Sequence, residues 1–272
     1  MANFEVAPIP TGAINGKFSV NANGEKVYFS QGNLQYQAST NTWQFAENQY
    51  DYVGNGNSSI SSTYSGWIDL FGWGTSGYEH GANCYQPWST STSYSDYYAY
   101  DSDTYNLFDE SGQADWGYNA ISNGGNIVNS GWRTLTKEEW TYLFNTRGGE
   151  NQIRYAKAQV NGINGVILLP DDWDASYYEP SNANSANANY SSNPIDGTQW
   201  NTLEQHGAVF LPAAGIRIET SMSNVGYGYY WSASYSISSG ARFVGFNHSS
   251  LTSDSSLRRY YGLSVRLVRP VQ

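Results

Sequence analysis

Between about Asn55 and Asn129 the chain carries almost no apolar periodicity. Compact domains rarely contain so long a stretch without regular structure. Gly, Ser, Asn, Asp and Tyr dominate it, yet Trp67, Trp73, Trp88 and Trp116 are embedded in it. Burying one Trp or Tyr removes ~150–250 Å² from water. The stretch is therefore expected to form ordered loops pinned by aromatic anchors, without a domain boundary. Composition agrees: 24 Tyr and 10 Trp stand against only 13% charged residues. Tyr, Ser, Gly and Asn also suit contact surfaces, because Tyr offers area at small entropy cost and the others adaptable hydrogen bonds.

The charge balance narrows the partners. Thirteen basic against 23 acidic residues give −10 in 272, the wrong sign for binding phosphate backbones or anionic membranes. Neither nucleic acid nor membrane insertion is expected, since no apolar run approaches ~18 residues. Met1-Ala2-Asn3-Phe4-Glu5 has neither a basic nor an apolar signal region, so no secretory signal is expected. The single cysteine, Cys84, allows no intrachain disulfide and no multi-cysteine metal or redox site.

Short alternating runs predict strands at Lys17–Val20, Lys26–Ser30, Leu34–Gln37 and Thr42–Phe45, separated by turn clusters as in a meander of hairpins. A helix is predicted from Thr136 to Arg147: Thr136 and Glu139 form a capping box, Trp140, Leu143 and Phe144 an apolar stripe, and Gly148-Gly149 the stop. A second is predicted over Thr198–His206, ended by Gly207. Between them lie a hairpin, Arg154–Val160 and Val166–Leu169 about a turn at Asn161–Gly165, and an exposed loop over Glu179–Pro194. Strands return at Ala208–Leu211, Gly215–Ile218, Tyr229–Ser234, Ala241–Phe246 and Leu263–Arg269. Strands before and after two helices, without a βαβ rhythm, indicate an α+β fold.

Catalytic patterns are weak. His80, His206 and His248 lack metal-ligand spacing, and His206 before a helix stop reads as a cap. Asp171, Asp172 and Asp174 could bind a hard cation, but a solvated turn after Pro170 is the better reading. Asp101, Asp103, Asp109 and Glu110 are read the same way, with a glycosidase carboxylate pair, which spacing alone does not reveal, as the alternative. No nucleophile elbow, P-loop or dinucleotide fingerprint stands in context. No cofactor and no metal site are expected, and the chain is read as not an enzyme.

Four segments carry a family resemblance. Gly131-Trp132-Arg133-Thr134-Leu135-Thr136-Lys137-Glu138-Glu139-Trp140 resembles the arginine-proline-threonine-x-x-glutamate-tryptophan segment of the formylglycine-generating-enzyme-like branch of the C-type lectin fold, with Leu135 where proline is expected. Phe210–Gly215 with Arg217, Tyr229–Ser234 and Gly262–Arg269 resemble its next core element and closing strands. The resemblance implies a loop-rich C-type lectin fold with small antiparallel sheets and two helices. The oxidising enzymes of that branch hold copper with paired cysteines, and Cys84 alone does not supply them. No glutamate-proline-asparagine calcium motif is present; Glu179-Pro180-Ser181 is the nearest approach.

The chain is more closely similar to the variable proteins of diversity-generating retroelements, of the gut Bacteroidales and phage type. There a C-terminal stretch is rewritten mainly at asparagine codons, and the reachable residues exclude Lys, Glu, Gln, Met and Trp. None of those occurs from Ser232 to Tyr261. The resemblance implies a single domain over residues 1–272, with 1–50 a hairpin segment and 225–272 the variable, ligand-binding region.

Trp231, Val244, Phe246, Val265 and Leu267 are expected as its frame. Ser236, Ile237, Ser239, Gly240, Phe243, Gly245, His248, Ser249, Thr252, Asp254, Ser255, Ser256, Leu257, Arg258, Tyr260 and Tyr261 are expected outward, joined by Tyr227 and Gly228. The alternative for this irregular tract is a floppy Ser-rich loop. The expected function is recognition of a protein or glycan on a target cell, from a phage virion or bacterial surface. A fixed bacterial adhesin, or a formylglycine-generating or carbohydrate-active enzyme, are the alternatives.

Overall fold

A computed structural model describes residues 8–80, 83–99, 105–109, 111–148, 152–237 and 239–272. The fold is α+β, with small, mostly antiparallel sheets and few helices. At the N-terminal end β1 (Phe18–Ser19) pairs with β2 (Lys26–Phe29), and β3 (Leu34–Gln37) with β4 (Thr42–Phe45) about Asn41, which turns at φ 50°. Asn41 suits this left-handed position because its short polar side chain tolerates it. The expected meander stops there, because β2 pairs onward with the C-terminal strand rather than with β3.

The aperiodic segment contains single turns and a two-residue hairpin, β5 (Glu79–His80) with β6 (Asn83–Cys84). Its order comes from buried tryptophans, as the sequence implied. Trp73 Nε1 donates to Ser232 O at 2.9 Å and Trp116 Nε1 to Thr75 O at 3.1 Å, both indoles fully buried. Trp67 and Trp88 lie half-buried. Asp69 is buried among the same loops, accepting from Val53 N and Asn57 Nδ2, each at 2.7 Å. Asp101, Asp103 and Glu110 lie outside the described residues.

After β7 (Arg133–Thr134), the capping box at Thr136 and Glu139 starts α1 (Lys137–Thr141), which continues as a π-turn over Tyr142–Thr146. Glu139 also takes both Arg133 guanidinium nitrogens, fixing the strand to the helix start. β8 (Tyr155–Val160) and β9 (Ile163–Leu168) form the hairpin, but its turn is only Asn161-Gly162. Both residues hold positive φ, 48° and 81°, so two residues suffice and Ile163 to Gly165 belong to the strand. The loop over 179–194, expected to be exposed, is exposed at fewer than half of its residues and is tied down: β10 (Pro194–Ile195) pairs parallel with β8, and the buried Lys157 ammonium donates to Ala186 O at 2.5 Å. α2 (Gly197–Gln205) follows, capped by Asp196, and His206 ends it as expected.

β11 (Val209–Pro212) completes the sheet β10-β8-β9-β11. β12 (Ile216–Ile218) pairs with β13 (Ser221–Ser223), which the sequence pattern did not reveal. β14 (Gly228–Tyr235), β15 (Gly240–Phe246) and β16 (Leu251–Arg258) form one antiparallel sheet. The expected strand over Leu263–Arg269 is regular only as β17 (Leu267–Pro270). Before it the chain changes neighbours: Leu263 N donates to Phe71 O and Ser264 N to Tyr229 O. β17 then closes the sheet β1-β2-β17-β7. Among the described residues no helix is long and apolar enough to cross a membrane.

Burial raises the Asp69 carboxyl from 3.8 to about 6. The folded chain therefore holds a proton there between pH 4 and 6 that the unfolded chain has released, so this group's stabilisation is present below 3.8 and is lost as pH rises through about 6. Urea unfolding of the wild type and Asp69→Asn at several pH values should show their stability gap shrinking toward neutral pH, by up to about 3 kcal/mol. A gap independent of pH contradicts this burial.

Candidate binding surface

The tract from Ser236 to Tyr261 is not a floppy loop. Most of it lies in β15 and β16, whose backbones pair from Gly240 opposite Arg258 to Phe246 opposite Leu251. The connection between these strands is equally fixed: Asn247 Oδ1 accepts from Ser249 N at 2.8 Å and Ser250 N at 3.0 Å, the side chain closing the turn. β16 escaped the sequence reading because Ser, Thr and Asp fill it. Its burial nonetheless alternates strictly, with Leu251, Ser253, Ser255 and Leu257 inward and Thr252, Asp254, Ser256 and Arg258 exposed.

The frame residues Trp231, Val244, Phe246, Val265 and Leu267 are all buried. They serve two cores. Trp231, Val265 and Leu267 join the aromatic cluster of the aperiodic segment, while Val244 and Phe246 pack in the cluster containing Trp140 of α1. The sheet is thus covered on both faces at its centre and open toward β16.

The outward set divides accordingly. Ile237 (76% exposed), His248, Ser249, Thr252, Asp254, Ser256 and Arg258 are exposed, and Tyr227, Ser239, Ser255, Leu257 and Tyr261 are half-buried. Five residues expected outward are buried: Ser236, Gly240, Phe243, Gly245 and Tyr260. Phe243 stands opposite Trp231 and 5.8 Å from the Tyr229 ring, inside the first core. Its ring occupies the space over Gly245, where an added Cβ would sit 2.8 Å from it. Ser236 is folded under the hairpin by its amide donating to Gly240 O, and a Cβ on Gly240 would approach Leu257 O at 3.2 Å. Gly228 is also inward, because the Phe246 ring fills its side-chain position.

Tyr260 is only 9% exposed because aromatic and cationic groups surround it. The rings of Tyr261 and Tyr94 lie 4.9 and 6.0 Å away, and the Arg258 guanidinium 5.9 Å. Arg258 Nη1 donates to Tyr260 Oη at 2.9 Å, and this bond raises the arginine's already high pKa. Partial burial raises the Tyr261 hydroxyl too, so it stays a neutral donor at physiological pH. Adjacent Arg259 points the other way, fully buried over the Trp73 ring at 5.0 Å and donating to Gly240 O and Tyr98 O, both at 3.1 Å. One basic residue presents the surface and its neighbour anchors it.

Three contributors were not visible in sequence. Tyr94 comes from the aperiodic segment, and no local signal connects it to Tyr260. Arg242 pairs with Asp254 at 3.1 Å across the strands, and Lys137 of α1 reaches Asp254 at 3.7 Å. Alternation along β15 marks the Arg242 side of that strand only once β16 is recognised.

Among the described residues no three His, Cys, Asp or Glu side chains come together as a metal site. Asp171 is instead bound by the Ser19 hydroxyl at 2.7 Å, Lys26 at 2.9 Å and Arg147 at 3.1 Å, which together hold its pKa low against the effect of burial. No family model, no curated protein and no solved structure matches the chain.

Phe243→Ala should cost about 3–5 kcal/mol in urea unfolding, as for other buried Phe truncations. Thr252→Ala and Ser256→Ala should stay within about 0.5 kcal/mol. A small loss at Phe243 would return that residue to the surface.

Proposed function

We propose that this protein is a non-enzymatic binding protein, a diversity-generating-retroelement variable protein on a C-type lectin scaffold. It recognises a protein or glycan on a target cell, from a virion or a bacterial surface. The observation that carries this reading is the architecture of the Ser236–Tyr261 tract. Its backbone is held by a ladder and side-chain-closed turns, while alternate residues of β16 and the β15–β16 turn stand in solvent. Such positions can change at little cost to stability. The scaffold reading is supported by the α+β arrangement and by the order of the four resembling segments along the chain.

Affinity in this reading comes from the half-buried aromatic groups Tyr227 and Tyr261, and specificity from the exposed polar residues about them. The buried positions Phe243, Gly245 and Tyr260 would shape the surface without touching the ligand except through their neighbours.

A displayed library randomised at Ile237, His248, Ser249, Thr252, Asp254, Ser256 and Arg258 tests the idea. Most members should fold with melting temperatures within a few degrees of the parent, and selection should yield binders to unrelated surface proteins. A matched library at Ser236, Gly240, Phe243, Gly245 and Tyr260 should largely fail to fold. If the first library unfolds as readily as the second, the tract is ordinary core. In the source genome, a reverse transcriptase gene beside an imperfect repeat of the Tyr230–Arg269 coding segment is expected; its absence favours a fixed adhesin.

A further inference from the structure

Away from the C-terminal tract, the aperiodic segment and the β3–β4 hairpin enclose a two-lobed groove. One lobe is about 310 Å³ and the other about 450 Å³, and Ser76, Gly77, Glu79 and Asn119 line both. No residue of the 227–261 tract lines either lobe. We propose that this groove is a second, constant binding site for a short neutral oligosaccharide.

Its chemistry selects the ligand class. Half-buried Trp88, stacked on the buried Tyr36 ring at 6.2 Å and 22°, forms one wall, and Tyr78 stands in the other lobe. Flat aromatic walls suit the apolar C–H faces of pyranose rings. Polar groups stand between them at the junction. Asn119 Nδ2 is committed to Ser76 O at 3.0 Å and Trp116 O at 3.3 Å, which directs the remaining valence of that amide, its Oδ1 acceptor, to a ligand. Asn41 has the opposite arrangement: its Oδ1 accepts from Tyr36 Oη at 2.9 Å, and its Nδ2 donor has no partner among the described residues. Glu79, exposed in both lobes, adds a carboxylate able to accept from two hydroxyls.

Together the groove offers a donor, an acceptor and a carboxylate beside aromatic faces, a set that matches vicinal hydroxyls. Among the described side chains no Lys, Arg or His lines either lobe, and the Glu79 carboxylate disfavours a phosphate, sulfate or sialylated ligand. The site is also preformed, because Asn119 is oriented by hydrogen bonds to the backbone of Ser76 and buried Trp116, and Asn41 by the hydroxyl of buried Tyr36. Preformed clefts of a few hundred Å³ are the usual form of small-ligand sites.

The full chain should be titrated with cellotriose, chitotriose and mannotriose while tryptophan fluorescence and ligand NMR saturation transfer are recorded. At least one trisaccharide should bind, and Trp88→Ala should weaken it about tenfold or more, equivalent to ~1.4 kcal/mol. Trp88→Phe should retain most of the binding, which separates a lost wall from a misfolded loop, and circular dichroism should match the parent. Tyr261→Ala should leave sugar binding unchanged, so the result is independent of the C-terminal surface. Three outcomes overturn the proposal: no trisaccharide binds, binding survives Trp88→Ala, or choline binds at this site in place of the sugars, which would make it a cage for quaternary ammonium.

Discussion

The structure depends on buried guanidinium groups that donate to backbone carbonyls. Arg217 donates to Leu70 O, Ser89 O and Glu219 O, and Arg259 to Gly240 O, Tyr98 O and Ala99 O. Leu70, Ser89, Tyr98 and Ala99 all belong to the aperiodic segment, which has few ladders of its own. Each arginine gathers carbonyls that water would otherwise have to solvate, and several donors in a fixed fork do what a strand neighbour does elsewhere. Burial lowers Arg217 to about 10, still well above neutral, so the group remains charged. Charge-assisted donation makes such bonds strong and their loss severe.

This arrangement explains how one sheet can carry both a core and a tolerant surface. β14 and β15 are clamped between two aromatic clusters, so their geometry is set from below and above. β16 is attached to them by its backbone ladder, while Arg259 fixes its C-terminal end to the loops. Ladder bonds do not depend on side-chain identity, so the exposed half of β16 is free to change. The inward half is not, and Phe243 shows the boundary: a single β-register step separates a replaceable residue from a core ring.

Much of the local structure was legible in the sequence. Capping at Thr136 and the Gly207 stop are short-range signals whose causes lie within a few residues, whereas the turn expected over Asn161–Gly165 closed in two residues. The frame residues were legible too, since large apolar side chains between strand-like runs have few other places to go. The tract's outward residues were only partly legible. An aromatic in a Ser-rich stretch looks like an exposed contact residue, but whether Phe243 and Tyr260 face water depends on what the aperiodic segment lays over them. Tyr94 and Trp73 arrive from more than a hundred residues away in the chain, and nothing local encodes that encounter.

The sequence by itself determined the class of solution: an aromatic-rich, charge-poor α+β chain whose loops are pinned by indoles, because local turn chemistry and transfer of aromatic surface from water act on residue types wherever they sit. Only the tertiary structure decided that Leu251–Arg258 is a strand, that the chain's end pairs with Lys26–Phe29, and that two loop systems meet in one aromatic groove. Those outcomes rest on pairing between distant segments, and a polar strand acquires its regularity from the neighbour it joins rather than from its own side chains.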